Sequence, residues 1–140
     1  MANYDCDVAL VGAALDVASA GNTFGAGAIV QFSGDVRPLE NGERIDGIEY
    51  EAHREMAEHQ LRRIADEAAE RFGLLAVRLH HRIGFVAVSE TSLFLRVAAA
   101  HRGAAFDGSR WIVDELKKRV PIWKSTVIRS DKRRETAALV

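Results

Sequence analysis

Basic side chains near predicted helix ends and turns are the residues of this sequence best suited to chemistry. Lys117 and Lys124 flank Pro121, and Trp123 gives the second lysine an apolar neighbour. A lysine in such a place can act as a nucleophile or a proton carrier. The alternative is that Lys117 is an ordinary cation that stabilises the carboxyl end of a helix dipole. Spacing alone favours this second interpretation.

A second group of basic residues is suited to binding an anion. Arg37 follows the dipeptide Gly34-Asp35, where backbone N–H groups and a guanidinium could hold a phosphate. His101 and Arg102 open a predicted helix, whose free N–H groups and dipole favour anions. For Arg102 alone, a surface salt bridge is an equally good interpretation. These positions together indicate an anionic ligand.

Several standard catalytic and metal sites are absent from the sequence. It contains no Gly-x-Ser-x-Gly, no P-loop and no His-Glu-x-x-His. His80 and His81 are neighbours on a predicted strand, so their side chains point to opposite faces and cannot bind one metal ion. Cys6 is the only cysteine, which excludes an internal disulfide and a cysteine-based zinc site. We therefore predict no metal site.

Composition places the chain among ordinary globular proteins. Its 140 residues are 48% hydrophobic and 28% charged, which predicts one domain over residues 1–128 and a basic, flexible tail over 129–140. No apolar run approaches the ~18 residues of a membrane span. The first ten residues lack the features of a secretory signal, and the single cysteine fits a reducing, cytoplasmic setting.

The net charge of −1 hides a strong asymmetry along the chain. Residues 117–134 hold eight Lys or Arg and one acid, a net charge of +7. The other 122 residues hold 11 basic and 19 acidic side chains, a net charge of −8. The overall charge argues against nucleic-acid binding, whereas the basic end suggests an anionic ligand or an acidic partner.

Hydrophobic periodicity predicts two helices. Over 53–72, apolar residues recur at spacings of four, three, four and four, and Gly73 is a typical C-terminal cap. The second helix is predicted over 103–119 and ends before Pro121, because proline disfavours helical geometry in the residue before it. Its predicted apolar side comprises Phe106, Ser109, Val113, Leu116 and Val120.

Alternation predicts the strands around these helices. Apolar and polar residues alternate most clearly over 75–81 and 91–99. Asn41-Gly42 is a strong turn dipeptide, and Gly34 indicates a bulge or a close backbone approach. The other predicted strands are 8–11, 28–36, 45–51 and 85–88. The order of elements predicts an α+β domain with a mostly antiparallel sheet and two helices packed against it.

Several segments together resemble a known family. They are Gly27-Ala28 to Val36-Arg37, Glu49-Tyr50-Glu51-Ala52, Met56-Ala57-Glu58, His81-Arg82-Ile83-Gly84, Ala100-His101-Arg102 with Ala105-Phe106, and Asp114 through Lys117 and Pro121 to Trp123-Lys124. In this order and spacing they resemble the MoaE family, the catalytic (large) subunits of molybdopterin synthase, over about residues 25–124. Any one segment alone would be a weak signal.

The resemblance implies a fold and an activity. It implies an α/β-hammerhead type of α+β fold and the conversion of cyclic pyranopterin monophosphate into molybdopterin. The two sulfurs come from a small ubiquitin-like carrier protein, whose C-terminal Gly-Gly tail ends in a thiocarboxylate. Two large subunits form a homodimer within a heterotetramer, with one carrier at each end. The step needs no cofactor and no metal.

The resemblance also implies roles for particular residues. It implies that Lys117 and Lys124 are catalytic, and that both also contact the substrate. The rest of the implied substrate site is Asp35, Val36, Arg37, His101, Arg102, Ser125 and Thr126. In the family this pocket draws on both subunits of the dimer. The alternative is a non-catalytic dimeric binding module that keeps the fold and binds a ubiquitin-like carrier or a phosphorylated ligand.

Overall fold

The computed structural model describes residues 3–17, 23–128, 133–134 and 138–140. Within them it contains two helices, α1 (Arg54–Phe72) and α2 (Arg102–Arg119). The strands are β1 (Asp5–Val11), β2 (Ala28–Asp35), β3 (Leu39–Glu40), β4 (Glu43–Arg44), β5 (Gly47–Ala52), β6 (Ala76–Arg82), β7 (Gly84–Ala87), β8 (Thr91–Ala99), β9 (Ile122–Ile128), β10 (Arg133–Arg134) and β11 (Ala138–Leu139). In the described residues, neither helix is long and apolar enough to cross a membrane.

Helix α1 forms where the apolar stripe predicted it. His53 is the N-cap, and its Nδ1 accepts a hydrogen bond from the Met56 amide at 3.3 Å. Gly73 ends the helix in the left-handed conformation with φ 66°, which a side chain would disfavour. The stripe residues Leu61 and Ile64 are fully buried. The predicted helix is therefore confirmed to within one residue.

The first sheet has the strand order β1-β6-β8-β2. β1 pairs with β6 in parallel, and the other two pairings are antiparallel. Both helices pack on this sheet and on each other. The pairing of β2 with β8 is irregular between Gly34 and Asp35, which confirms the predicted bulge. Strand β8 is buried on both faces over residues 92–99, whereas alternation predicts a half-buried strand.

The second sheet contains a strand that periodicity did not predict. Its order is β10-β9-β5-β7, and β11 also pairs with β9. Strand β9 follows Pro121 directly and was missed because polar residues occur on both of its faces. The predicted α+β class, with two main helices and mostly antiparallel pairing, is confirmed. Most of the predicted tail, residues 129–140, lies outside the described residues, so its flexibility stays a prediction.

Helix α2 ends as predicted, and its buried face agrees with the predicted apolar side except at Phe106. Val120 is its extended C-cap, directly before Pro121. The predicted apolar side is wrong at Phe106, whose exposed fraction is 62%. It is confirmed at Ser109, Leu116 and Val120, which are buried. The other buried residues of the helix are Ala105, Gly108 and Ile112. Successive helical residues lie 100° apart, so a stripe through Ala105 turns Phe106 away from the sheet.

Candidate active site

A cavity of about 350 Å³ opens where the two sheets meet the carboxyl end of α2. Elements far apart in sequence form its walls, namely the end of β2, the middle of β5, the start of β8 and β9. The polar and charged residues that line it are Asp35, Arg37, Tyr50, His81, Ser92, Lys117 and Lys124. Three of the predicted basic residues, Arg37, Lys117 and Lys124, therefore share one cavity.

Lys117 differs from the two cations that follow it in the last turn of α2. Lys118 Nζ lies 3.3 Å from a Glu115 carboxylate oxygen. Arg119 contacts the other Glu115 oxygen at 3.5 Å and Glu67 at 2.6 Å. Lys117 lines the cavity and has no ion pair within the described part of the chain. The role of a simple helix-end cation therefore suits Lys118 better than Lys117.

Lys124 and Arg37 are joined by a carboxylate that the sequence analysis did not single out. Lys124 Nζ donates a hydrogen bond to Glu40 Oε1 at 3.0 Å. The other oxygen, Oε2, lies 3.7 Å from the Arg37 guanidinium. The Glu40 side chain is only 15% exposed and that of Lys124 32%, so their contact is screened less than a surface ion pair, whereas the Arg37 side chain is 78% exposed. Glu40 thus links two residues that lie far apart in sequence.

The turn after β2 places Asp35 at the cavity and Val36 behind it. The Asp35 carboxylate accepts hydrogen bonds from Ser33 and Thr91, both at 2.8 Å. Val36 is buried, and its amide donates to the Glu90 carbonyl at 3.0 Å. That amide is therefore not available to a substrate anion, and Val36 supports the turn from within. Asp35 and Arg37 remain at the cavity surface.

Buried polar side chains form the inner wall of the cavity. The rings of Tyr50 and His81 meet edge to face, with centroids 5.0 Å apart. His81 Nδ1 lies 2.8 Å from the Arg82 carbonyl oxygen, which can only accept a hydrogen bond. The hydrogen is therefore on Nδ1, and Nε2 is left as an acceptor. Burial lowers the pKa of His81 to about 4, so the ring is neutral near pH 7.

The pKa of the Tyr50 hydroxyl depends on its burial and on the charge of Lys124. Burial raises the pKa of the Tyr50 hydroxyl, while a hydrogen bond with Ser92 and the positive charge of Lys124 lower it in part. Ser92 in turn donates to the Gly34 carbonyl at 3.2 Å. A neutral tyrosine and a neutral histidine therefore stand beside the cationic residues of this cavity.

The remaining predicted site residues do not line this cavity. Ser125 and Thr126 lie in β9, where Thr126 is buried beside Ile48 of β5. His101 and Arg102 are exposed at the amino end of α2. Because each helical residue advances 1.5 Å, they lie about 24 Å along the helix from Lys117. Within one chain, these two basic residues cannot reach the cavity.

The structure separates the two adjacent histidines as the strand geometry predicted. His81 is buried at the cavity, whereas His80 lies on the opposite face and contacts Asp7 at 2.9 Å. The described residues contain no group of three or more potential His, Cys, Asp or Glu metal ligands. Neither histidine therefore belongs to a preformed metal site within this part of the chain.

Comparison with known proteins places the chain in a family. The family model described as "MoaE protein" matches residues 7–119. A molybdopterin synthase catalytic subunit from Thermoplasma volcanium is 45% identical over 103 residues, which cover 74% of this chain and 75% of that protein. One from Pyrococcus abyssi is 45% identical over 101 residues, covering 72% of this chain and 68% of that protein. The chain therefore belongs to the MoaE family.

A solved structure agrees with this assignment. The crystal structure of molybdopterin synthase from Staphylococcus aureus superposes with a TM-score of 0.80 at 28% identity. The match covers 91% of this chain and 95% of that chain. The resemblance seen in separate sequence segments therefore extends through most of the fold.

Proposed function

We propose that this chain is a molybdopterin synthase catalytic subunit in molybdenum cofactor biosynthesis. It converts cyclic pyranopterin monophosphate into molybdopterin, and the two sulfurs arrive on the thiocarboxylated C-terminus of a small ubiquitin-like carrier subunit. The observation that carries the proposal is the convergence of Arg37, Lys117 and Lys124 on one cavity in a chain of the MoaE family. The proposed setting is the cytoplasm.

The cavity supplies what such a sulfur transfer requires. The cyclic phosphate of the substrate is an anion, which Arg37 and Lys124 can hold by charge-assisted hydrogen bonds. To release the transferred sulfur, water attacks the carrier carbonyl carbon that bears it, and the C–S bond then breaks to leave a carboxylate on the carrier. The tetrahedral intermediate of this step is negatively charged, and a nearby cation stabilises it. Lys117, which has no ion pair in the described residues, is placed for that role or for moving a proton. The proposed reaction uses no metal and no resident cofactor.

A second copy of the chain completes the substrate site in this proposal. Strand β2 is at the edge of the first sheet and exposes Ile29 and Phe32. Such an edge can pair with another chain. In an antiparallel pairing of two β2 strands, Ala28 of one copy lies near Asp35 of the other. Because Ala28 pairs with Ala99 within each chain, this brings His101 and Arg102 of the partner subunit toward the cavity.

The dimer can be tested apart from the chemistry. Ile29→Asp places a charge on the exposed edge, so we expect the dimer to dissociate in analytical ultracentrifugation. Leu39→Asp is the matched control, because Leu39 is also exposed but lies outside β2. An Ile29→Asp protein that stays dimeric would contradict pairing through β2.

The activity can be tested directly with the carrier and the substrate. Wild-type protein, thiocarboxylated carrier and cyclic pyranopterin monophosphate should yield dithiolene product. Lys117→Ala should lower the rate by at least about a hundredfold, as expected for a group that stabilises transition-state charge. Lack of product from folded wild type that still binds the carrier would favour the non-catalytic binding module. Equal rates for both proteins would remove Lys117 from the mechanism.

A further inference from the structure

Glu40 contacts two of the three cavity cations, Arg37 and Lys124. Its two carboxylate oxygens are divided between them, one at 3.0 Å from Lys124 and the other at 3.7 Å from Arg37. Neither the family resemblance nor the spacing of charges indicates a role for Glu40. Its carboxylate nevertheless lies beside the candidate phosphate site.

The backbone around Glu40 is held in a defined geometry. Strands β3 and β4 form a hairpin whose two-residue turn has positive φ angles at Asn41 (51°) and Gly42 (82°). Asn-Gly is the preferred sequence for this type of turn. The Ile45 amide closes the base of the hairpin by donating to the Pro38 carbonyl at 2.9 Å. The hairpin thus directs Glu40 toward the cavity by local geometry as well as by charge.

The charge balance of the cavity gives Glu40 a distinct effect. Asp35, the acidic residue that lines the cavity, is already held by two hydroxyl groups. Glu40 instead contacts Arg37 and Lys124 directly and offsets one of their two positive charges. A carboxylate and a phosphodiester each carry one negative charge shared over two oxygens. A phosphodiester can therefore take over both contacts of Glu40, and one negative charge faces the two cations before and after the exchange.

We propose that Glu40 is a resident counter-anion that an incoming phosphate displaces from Arg37 and Lys124. It is a specificity-determining residue, because it occupies both cations in the empty site and competes with every anion that enters. The identity of the substrate phosphate rests on the proposed function, whereas the competition rests on the ion pairs alone. Weakly binding anions do not displace Glu40 from the two cations. A phosphate that is held by further contacts in the cavity does displace it.

The proposal predicts that removing the Glu40 charge strengthens phosphate binding. Glu40→Gln keeps the size of the side chain, and we expect its Kd for inorganic phosphate to fall about five- to tenfold. Adding Lys124→Met to that variant should remove the gain. Glu58→Gln changes the net charge equally from an exposed position on α1, so its Kd should equal that of wild type. Chemical-shift titration with inorganic phosphate measures each Kd.

A shorter acid provides a second test. Glu40→Asp retracts the carboxylate by one methylene group and loosens both ion pairs, so we expect a smaller gain of about two- to threefold. If the substitutions merely damaged the site, phosphate binding would weaken. If Glu40 competes with phosphate, binding becomes tighter. An unchanged or higher Kd in both folded variants would overturn the proposal. Because phosphate binding needs neither carrier nor pterin, a failed synthase assay with these Kd changes intact would reject only the proposed function.

Discussion

The two ends of the α2 and β8 pair carry different parts of the candidate site. At the carboxyl end of α2, Lys117 meets Arg37 and Lys124 around a cavity. At the amino end, His101 and Arg102 are exposed, about 24 Å away along the helix. One chain therefore builds the pocket at one end and presents basic groups at the other. We infer that two chains in opposite orientation would each complete the site of the other.

Mixed dimers should give the largest effect, and they test whether the two ends of different subunits act in one site. Lys117→Ala removes the cavity lysine and Arg102→Ala removes the group at the far end, so each homodimer should be nearly inactive. After subunit exchange, half of the dimers are mixed, and each contains one site with both groups intact. We therefore expect about a quarter of wild-type activity. No recovery after confirmed exchange would mean that Arg102 does not act across the dimer.

Acid should destabilise the cavity end through His81. Its pKa is lowered to about 4 in the folded protein, so the unfolded chain binds the proton more tightly. The stabilising contribution is fully present above about pH 6.5 and is lost as pH falls toward 4. We expect a loss of about 3 kcal/mol across this window, measured by urea unfolding.

His81→Gln should reduce this dependence on pH, because the amide does not titrate. His59→Gln is the control, since His59 is exposed on α1. If both variants kept the wild-type slope of stability against pH, His81 would not be the group responsible.

Two glycines at opposite ends of the β2–β8 pairing should differ in their tolerance of a methyl group. A Cβ on Gly27 would lie 2.2 Å from the Ala100 carbonyl oxygen, next to His101. A Cβ on Gly34 would meet Leu93 and Phe32 at ordinary distances of 3.5 Å. Gly27→Ala should therefore cost about 2 kcal/mol of unfolding free energy and Gly34→Ala less than about 1 kcal/mol. Equal costs in chemical denaturation would contradict this difference.

The smallest effect is expected beside Lys117. Lys118→Ala removes an exposed cation that pairs with Glu115, so stability should change by less than about 0.5 kcal/mol. Synthase activity should stay within about twofold of wild type, in contrast to Lys117→Ala. A large loss of activity would show that the charge of the last helical turn matters, and not the position of Lys117.

Local patterns predicted most of the fold. The stripe and the glycine cap located α1, and Thr91–Ala99 was predicted with both ends correct. Strand β9 was missed because polar residues occur on both of its faces, and its pairing with β5 depends on contacts distant in sequence. Phe106 was misplaced because an apolar residue type does not reveal which side of a helix faces the sheet.

The site was predicted only in part, because some of its contacts also join residues that are distant in sequence. Charge and the family resemblance identified Arg37, Lys117 and Lys124, which share the cavity. Glu40 lies in a polar turn, and such an acid is usually solvated. Only the pairing of distant strands brings it within 3.0 Å of Lys124, which lies 84 positions later. The signal that could have identified it is the Asn-Gly turn, which fixes the hairpin next to Arg37.

The parallel pairing of β1 with β6 governs the order in which the molecule can form. Asp5 pairs with Ala76, so residues that lie 71 positions apart must come together before this edge of the sheet forms. Closing so long a loop is entropically costly, and distant pairings slow folding. The backbone hydrogen bonds of helix α1, by contrast, join residues only four positions apart. In pulsed hydrogen exchange during refolding, the amides of α1 should gain protection before those of β1.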